Sequence, residues 1–216
     1  MTDRLLELIS ARFPLTETGA GEFAAMKIGA MRFNVRKFDA EGLGAVSVMK
    51  ANGMAGLMRM DTLIVTPLCR DLPLFSCDGV NAMSRRTVIC ELYDTLVGCC
   101  DLSALERVKA SANGLPAYDT GSHWYDGIRL PVSLALRGGG KYNGEFERVT
   151  LEYAAAYIDC AGSADSCSPE EKRKRTAVYV DGLLSHGGPS TDVFKKALGD
   201  ETTARLFRTV LFSTVT

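Results

Sequence analysis

Apolar and polar positions along the chain change rhythm several times, and each change predicts an element. Leu5, Leu6, Ile9 and Phe13 fall at helical spacing, which predicts a short amphipathic helix over 3–13, broken at Gly19 and Gly21. From about Ala30 the period drops to two: Met31, Phe33, Val35 and Lys37 alternate with Arg32, Asn34 and Arg36. Val46 and Val48, then Leu57–Thr66, Leu74–Val80 and Thr87–Tyr93, continue as strands. Gly, Asn and Pro turns join them, with no helix between, so an antiparallel meander is expected.

The second half turns helical. Asp101 or Ser103 can cap a helix that carries Glu106 three beyond Ser103 and Leu105, Val108 and Ala112 on one face, ended by Gly114-Leu115-Pro116. Residues 124–136 (Ile128, Leu130, Val132, Leu134, Leu136) predict one more strand. A turn at Gly138-Gly139-Gly140 then leads to a long helix over about 145–161, with Phe146, Val149, Tyr153, Ala156, Tyr157 and Cys160 inward. Ser168-Pro169-Glu170-Glu171 has the cap and first-turn proline of a further helix reaching about Ser185. After Gly187-Gly188-Pro189, two short helices are expected, Thr191–Leu198 and Asp200–Phe212, parted by Gly199. The sum is a single α/β domain over 1–216: a three-layer α/β/α sandwich with a central, mostly antiparallel sheet.

One stretch stands out, Pro67 to Val80, PLCRDLPLFSCDGV. Its prolines suggest edge or strand-start positions. Leu72, Leu74, Phe75, Cys77 and Val80 surround one carboxylate, Asp78. Apolar neighbours raise a carboxyl pKa, and an aspartate protonated near neutral pH is a proton donor. The competing reading is that Asp78 caps a turn before Gly79.

Composition narrows the field. With 46% hydrophobic and 24% charged residues, 216 residues can bury a large core without staples. A net charge of −1 gives no general pull toward nucleic acid or membrane. No stretch approaches the length of a membrane span, and the N-terminus lacks a signal-peptide pattern, so a cytoplasmic location is expected. Cysteines 69, 77, 90, 99, 100, 160 and 167 form no CxxC pair, and His123 and His186 lie far apart, so neither a metal site nor a disulfide framework is expected.

Other motifs have plainer accounts. Asp119-Thr120-Gly121-Ser122 copies the aspartic-protease DTGS, but the helical second half argues against a paired-Asp scaffold, and an Asp-Gly turn explains it better. The glycines before Lys141 lack the spacing of a phosphate loop, and a hairpin-like turn is expected there instead. The tetrad Lys172-Arg173-Lys174-Arg175 reads as a solvated helix face or as a dock for an acidic partner. Asp39 and Glu41, two apart, share a sheet face if the strand runs on. With Asp78 on that face, repulsion would keep one acid protonated, suiting proton-coupled reduction; the alternative is two exposed turn residues before Gly42.

Arg36-Lys37-Phe38-Asp39-Ala40-Glu41 is similar to the Arg-Lys…Glu motif of the ferredoxin-dependent bilin reductases. Pro67…Leu72-Pro73-Leu74-Phe75-Ser76-Cys77-Asp78 resembles that family's Pro…Leu-Pro…Phe-Gly-Cys-Asp segment. Arg85–Asp94, Val193–Gly199 and Val210-Leu211-Phe212 follow in family order, so the likeness spans roughly 30–216. The resemblance implies an α/β/α sandwich that reduces a linear tetrapyrrole with no metal or flavin of its own. Single electrons would come from a [2Fe–2S] ferredoxin, and the basic tetrad would suit its docking. It implies Asp78 as the catalytic acid, Glu41 as a carboxylate across the pocket, and Arg85, Arg86 and Thr87 at the propionates. Asp39 and Thr62 stand where some members carry histidine, and His186 lies beside the late polar positions. A non-catalytic binder of a tetrapyrrole or other planar ligand is the alternative on the same scaffold.

Overall fold

The structure, a computed structural model, describes residues 1–215. Its centre is an eight-stranded sheet in which every pairing is antiparallel. The strands are β1 (Leu15–Glu17), β2 (Ala25–Ile28), β3 (Met31–Ala40), β4 (Gly44–Gly53), β5 (Met58–Pro67), β6 (Leu74–Ala82), β7 (Arg85–Tyr93) and β8 (Leu134–Gly139). From β3 to β8 they lie in chain order, while β1 and β2 both pair with the outer edge of β3. The expected spans of β5, β6 and β7 hold to within two residues at each end.

Period-two alternation divides the side chains between two cores. Phe75 and Cys77 of β6, with Val88, Cys90 and Leu92 of β7, point into one. Helices α1 (Thr2–Ser10), α2 (Ser103–Ser111) and α3 (Asn143–Ser163) cover it. All six α3 residues expected to face inward are buried. The Tyr153 and Tyr157 hydroxyls, buried with them, donate to the carbonyls of Val132 (3.0 Å) and Pro73 (2.9 Å), so neither polar group is stranded. Phe33, Val35, Ile64 and Leu74 face the other core, under α4 (Pro169–His186), α5 (Pro189–Leu198) and α6 (Asp200–Arg205), which runs into a π-helical turn, Leu206–Leu211. This is the expected three-layer sandwich.

Three local expectations fail for identifiable reasons. Of 124–136 only the end becomes a strand, with a single bridge from Arg129 to Tyr93 before it: Trp124–Gly127 is a 3-10 turn whose Tyr125 carbonyl takes the Ile128 and Arg129 N–H groups, and Pro131 has no N–H to offer a ladder. The triple glycine is no hairpin. Gly138 and Gly139 end β8, and Gly140–Tyr142 is a 3-10 turn into α3; at Gly138 a Cβ would press on Tyr142, Phe146 and Pro116. Pro67 closes β5, an interior strand, at its last rung opposite Gly44.

The basic tetrad is not one solvated face. Lys172 is fully buried, and its ammonium donates to the carbonyls of Leu72 (2.6 Å) and Thr95 (2.7 Å) and to Asp71 (3.4 Å). Lys174, exposed, pairs with Glu170 at 2.7 Å. No helix among the described residues is long and apolar enough to cross a membrane.

Candidate functional site

Asp78 sits mid-strand on the face of β6 turned toward α4, α5 and the π turn. Its row across the sheet reads Met49, Thr62, Asp78, Ile89, Ala135. The Thr62 hydroxyl, one strand away, donates to its Oδ1 at 2.5 Å, and Ser76, two residues back on the same face, donates to Oδ2 at 3.1 Å. What surface the carboxyl retains opens onto a cavity of about 300 Å³, at the small end of ligand-sized pockets. Burial pushes its pKa up from 3.8 to about 6; the two hydroxyls pull the other way but do not cancel it, and Glu91 adds a further push. At neutral pH this acid therefore holds a proton part of the time.

The cavity's walls are aromatic. Tyr93 stacks on Tyr179 at 4.2 Å, with Tyr125 edge-on to Tyr93 at 5.5 Å. Phe194 of α5 and Phe207 of the π turn form the roof. The wider π turn frees carbonyls, and the sheet takes them: Lys37 donates to Thr209 (2.7 Å) and Ser47 to Leu211 (2.8 Å). Among the described residues lining the cavity, the charged side chains are Asp78 and Glu91, with no lysine or arginine. Glu91 accepts from Tyr93 (2.6 Å) and from Arg129 (3.0 Å). His123 also lines it, but its Nε2 is 2.9 Å from the Thr120 carbonyl, and the residue forms a capping box with Asp126. A second cavity of about 650 Å³ adjoins the first, with Glu91, Tyr118 and Thr120 in both walls.

Against this geometry, the comparison with solved structures is informative. Phytochromobilin synthase from tomato, crystallised in complex with biliverdin, superposes with a TM-score of 0.81 over 99% of this chain and 82% of that one. The two chains share one fold. Their sequences are 12% identical, so the likeness carries the architecture alone. No protein-family model and no curated protein matches the sequence.

Of the residues singled out from the sequence, the structure joins Asp78 with Thr62 and separates the others. Glu41 lies outside the cavity: β3 ends at Ala40, Gly42 turns the chain at φ +77°, and Glu41 is exposed with its N–H bonded to the Pro14 carbonyl (3.0 Å). Asp39 is exposed as well. Its rung runs through Ala45 to Thr66, four residues beyond Thr62 and so about 13 Å along the strand. Arg86 points to the opposite face, where it donates to the Asn143 carbonyl (3.2 Å). Arg85 is exposed at the end of the ladder. Thr87 lies on the cavity face two residues from Ile89, which lines the cavity, but does not itself line it. His186 ends α4, exposed, against the Trp124 ring (5.4 Å).

Glu91 was not foreseen, although it carries the signal that marked Asp78: a lone carboxylate in an apolar run, Val88-Ile89-Cys90-Glu91-Leu92-Tyr93. His123 and Tyr125 arrive through a loop and had no such signal. The DTGS motif is a turn, with Asp119 Oδ1 accepting from the Gly121 N–H at 2.8 Å.

Proposed function

We propose that the cavity binds a linear tetrapyrrole and that Asp78 protonates it during reduction by single electrons from a ferredoxin. The observation that carries this reading is one acid, with a pKa near 6, on the floor of an aromatic-walled cavity that brings it no cation. A general acid works best with a pKa close to the working pH. Each electron added to a pigment held in so apolar a site creates charge that the surroundings solvate poorly, so a proton must follow it. Asp78 supplies that proton, and Thr62 and Ser76 hold the carboxylate left behind. Flat rings lie against Tyr93, Tyr125 and Tyr179, and the adjoining cavity leaves room for the part of a four-ring chain that the inner one cannot enclose. That biliverdin occupies tomato phytochromobilin synthase, which has the same fold, supports the ligand class.

A second reading, a non-catalytic binder of a planar pigment, draws on the row through Asp78. Its neighbours there, Met49, Thr62 and Ile89, cannot titrate in the working range, so Asp78 has no partner acid within its own row. One experiment separates the two. Mixed with biliverdin, the protein should shift the pigment's visible band, and reduced ferredoxin should then bleach or move it. Asp78→Asn should bind as well as the wild type and turn over about 100-fold slower or less. Binding without reduction in the wild type would select the binder, and no spectral change with any of several linear tetrapyrroles would overturn both.

A further inference from the structure

Glu91 belongs to the cavity, yet nothing in the reaction proposed above uses it. It is 8% exposed, and it lies directly across the ladder from Ser76, the serine that donates to Asp78. Directly opposed residues place their Cβ atoms about 5 Å apart, and Asp78 is the diagonal neighbour on the same face. Both Glu91 oxygens are engaged. Arg129 holds Oε1 and is itself fixed by Thr120 (2.9 Å) and by Asp126 (2.9 Å), while Tyr93 holds Oε2. A carboxylate clamped on both oxygens keeps its place while its neighbour gains and loses a proton.

We propose that Glu91, with Arg129 as its counter-charge, is a positioning residue for Asp78: a fixed anion that sets how tightly the catalytic acid holds its proton. The inference rests on the proposed role of Asp78. Two buried carboxyls that face one cavity resist carrying charge together, so the clamped one drives the proton onto the other. Arg129 opposes this by offsetting part of the Glu91 charge, and the pair thereby tunes the acid in both directions. The upward push of Glu91 on the Asp78 pKa agrees in sign. Among the described residues lining the two cavities, further charged or titratable groups are Lys109 of α2, which donates to the Pro131 carbonyl (2.5 Å), Asp119, which accepts from the Gly121 N–H (2.8 Å), and His123, whose Nε2 meets the Thr120 carbonyl (2.9 Å). Thr62 comes from β5, Tyr93 from β7 and Tyr179 from α4; Tyr118, His123, Tyr125 and Asp126 come from the loop that carries Arg129. Asp126 is tied to Arg129, and α5 and the π turn bring uncharged side chains. Lys37, on the same sheet face, is turned to the Thr209 carbonyl.

The test reads Asp78 directly, by the infrared carboxyl stretch that Asp78→Asn abolishes, titrated in ligand-free protein. Glu91→Gln should lower the Asp78 midpoint, weakening its proton affinity about threefold. Arg129→Gln should raise it by a similar factor, and the double variant should fall between them. A merely structural role would loosen the site in both single variants and move the midpoint the same way. Shifts of like sign, or no shift in either, overturn the inference. Should a single variant fail to fold, the double variant, which buries no lone charge, decides: a midpoint outside the range spanned by the wild type and the folded single variant overturns the inference. This result is independent of bilin turnover. Opposite shifts without biliverdin binding would sink the proposed function alone, and turnover with like shifts would sink this inference alone.

Discussion

Asp71 and Asp78 lie seven residues apart in one stretch and meet opposite surroundings. Both are removed from bulk water. Asp71 accepts from the N–H groups of Val97 (2.9 Å) and Gly98 (2.6 Å) and faces the Lys172 ammonium. Burial alone would raise its pKa, but these donors and that charge together hold it below the ordinary value. Asp78 has two hydroxyls and no cation, and burial wins. Asp71 joins the β5–β6 connection to the segment after β7 and to α4, so its charge serves architecture. Asp78 faces a cavity with its proton in play, so its burial serves chemistry. A buried carboxylate is structural or reactive according to which donors meet it.

Lys172→Met breaks the structural half. It leaves Asp71 and two buried carbonyls without their shared donor, and losing one partner of a buried pair costs about 3–5 kcal/mol. Thermal and denaturant unfolding should show that loss. Lys172 itself has a lowered pKa because burial disfavours its charge, so the pair contributes less to stability than this deletion suggests. An unchanged melting temperature would remove the distinction between the two sites.

Asp78→Asn should act with the opposite sign. The folded-state pKa of Asp78, about 6, lies above its unfolded value of 3.8, so native protein binds more protons than unfolded chain between those values. The stability tied to this group is therefore complete below the unfolded value and lost as pH rises through about 6, up to about 3 kcal/mol. Asn never ionises. The variant should gain stability over the wild type above neutrality and little in acid, measured as melting temperature against pH. For Asp71 the folded pKa is depressed, so its contribution is present above the unfolded value and fades as pH falls through the folded one.

Thr62→Val is the smallest change. It removes a hydroxyl that favours ionised Asp78, so the midpoint should climb above 6 and the pH–rate profile should shift with it, at a stability cost of about 1 kcal/mol. A midpoint that stays in place would show that the 2.5 Å contact does not hold the carboxylate.

Much of this was legible in the chain. Strict alternation from Phe33 onward and the 3.6-residue rhythm of Phe146 to Cys160 fix which faces are apolar, and those faces dictate three layers. Asp78 could be found because a single charge interrupts Leu74-Phe75-Ser76-Cys77 just where a strand must be buried. Glu41 could not be placed: alternation holds only while the strand lasts, and Gly42 ends it. Lys172 was hidden in a charged run, since its partners lie in loops 100 and 77 residues away, and contacts at that separation leave no mark on local pattern. His123 reaches the cavity, and Arg129 reaches Glu91, from either end of a 3-10 turn inside the segment expected as a strand.

The central claim is that a proton resident on Asp78 moves to a ligand in the cavity. Its most direct test is the visible spectrum of biliverdin bound to wild-type and Asp78→Asn protein, followed from about pH 5 to about pH 8, a range that spans the expected midpoint. The account predicts a reversible band change centred near 6 in the wild type and a flat response in a variant that still binds pigment. Identical pH dependence in the two proteins would contradict it.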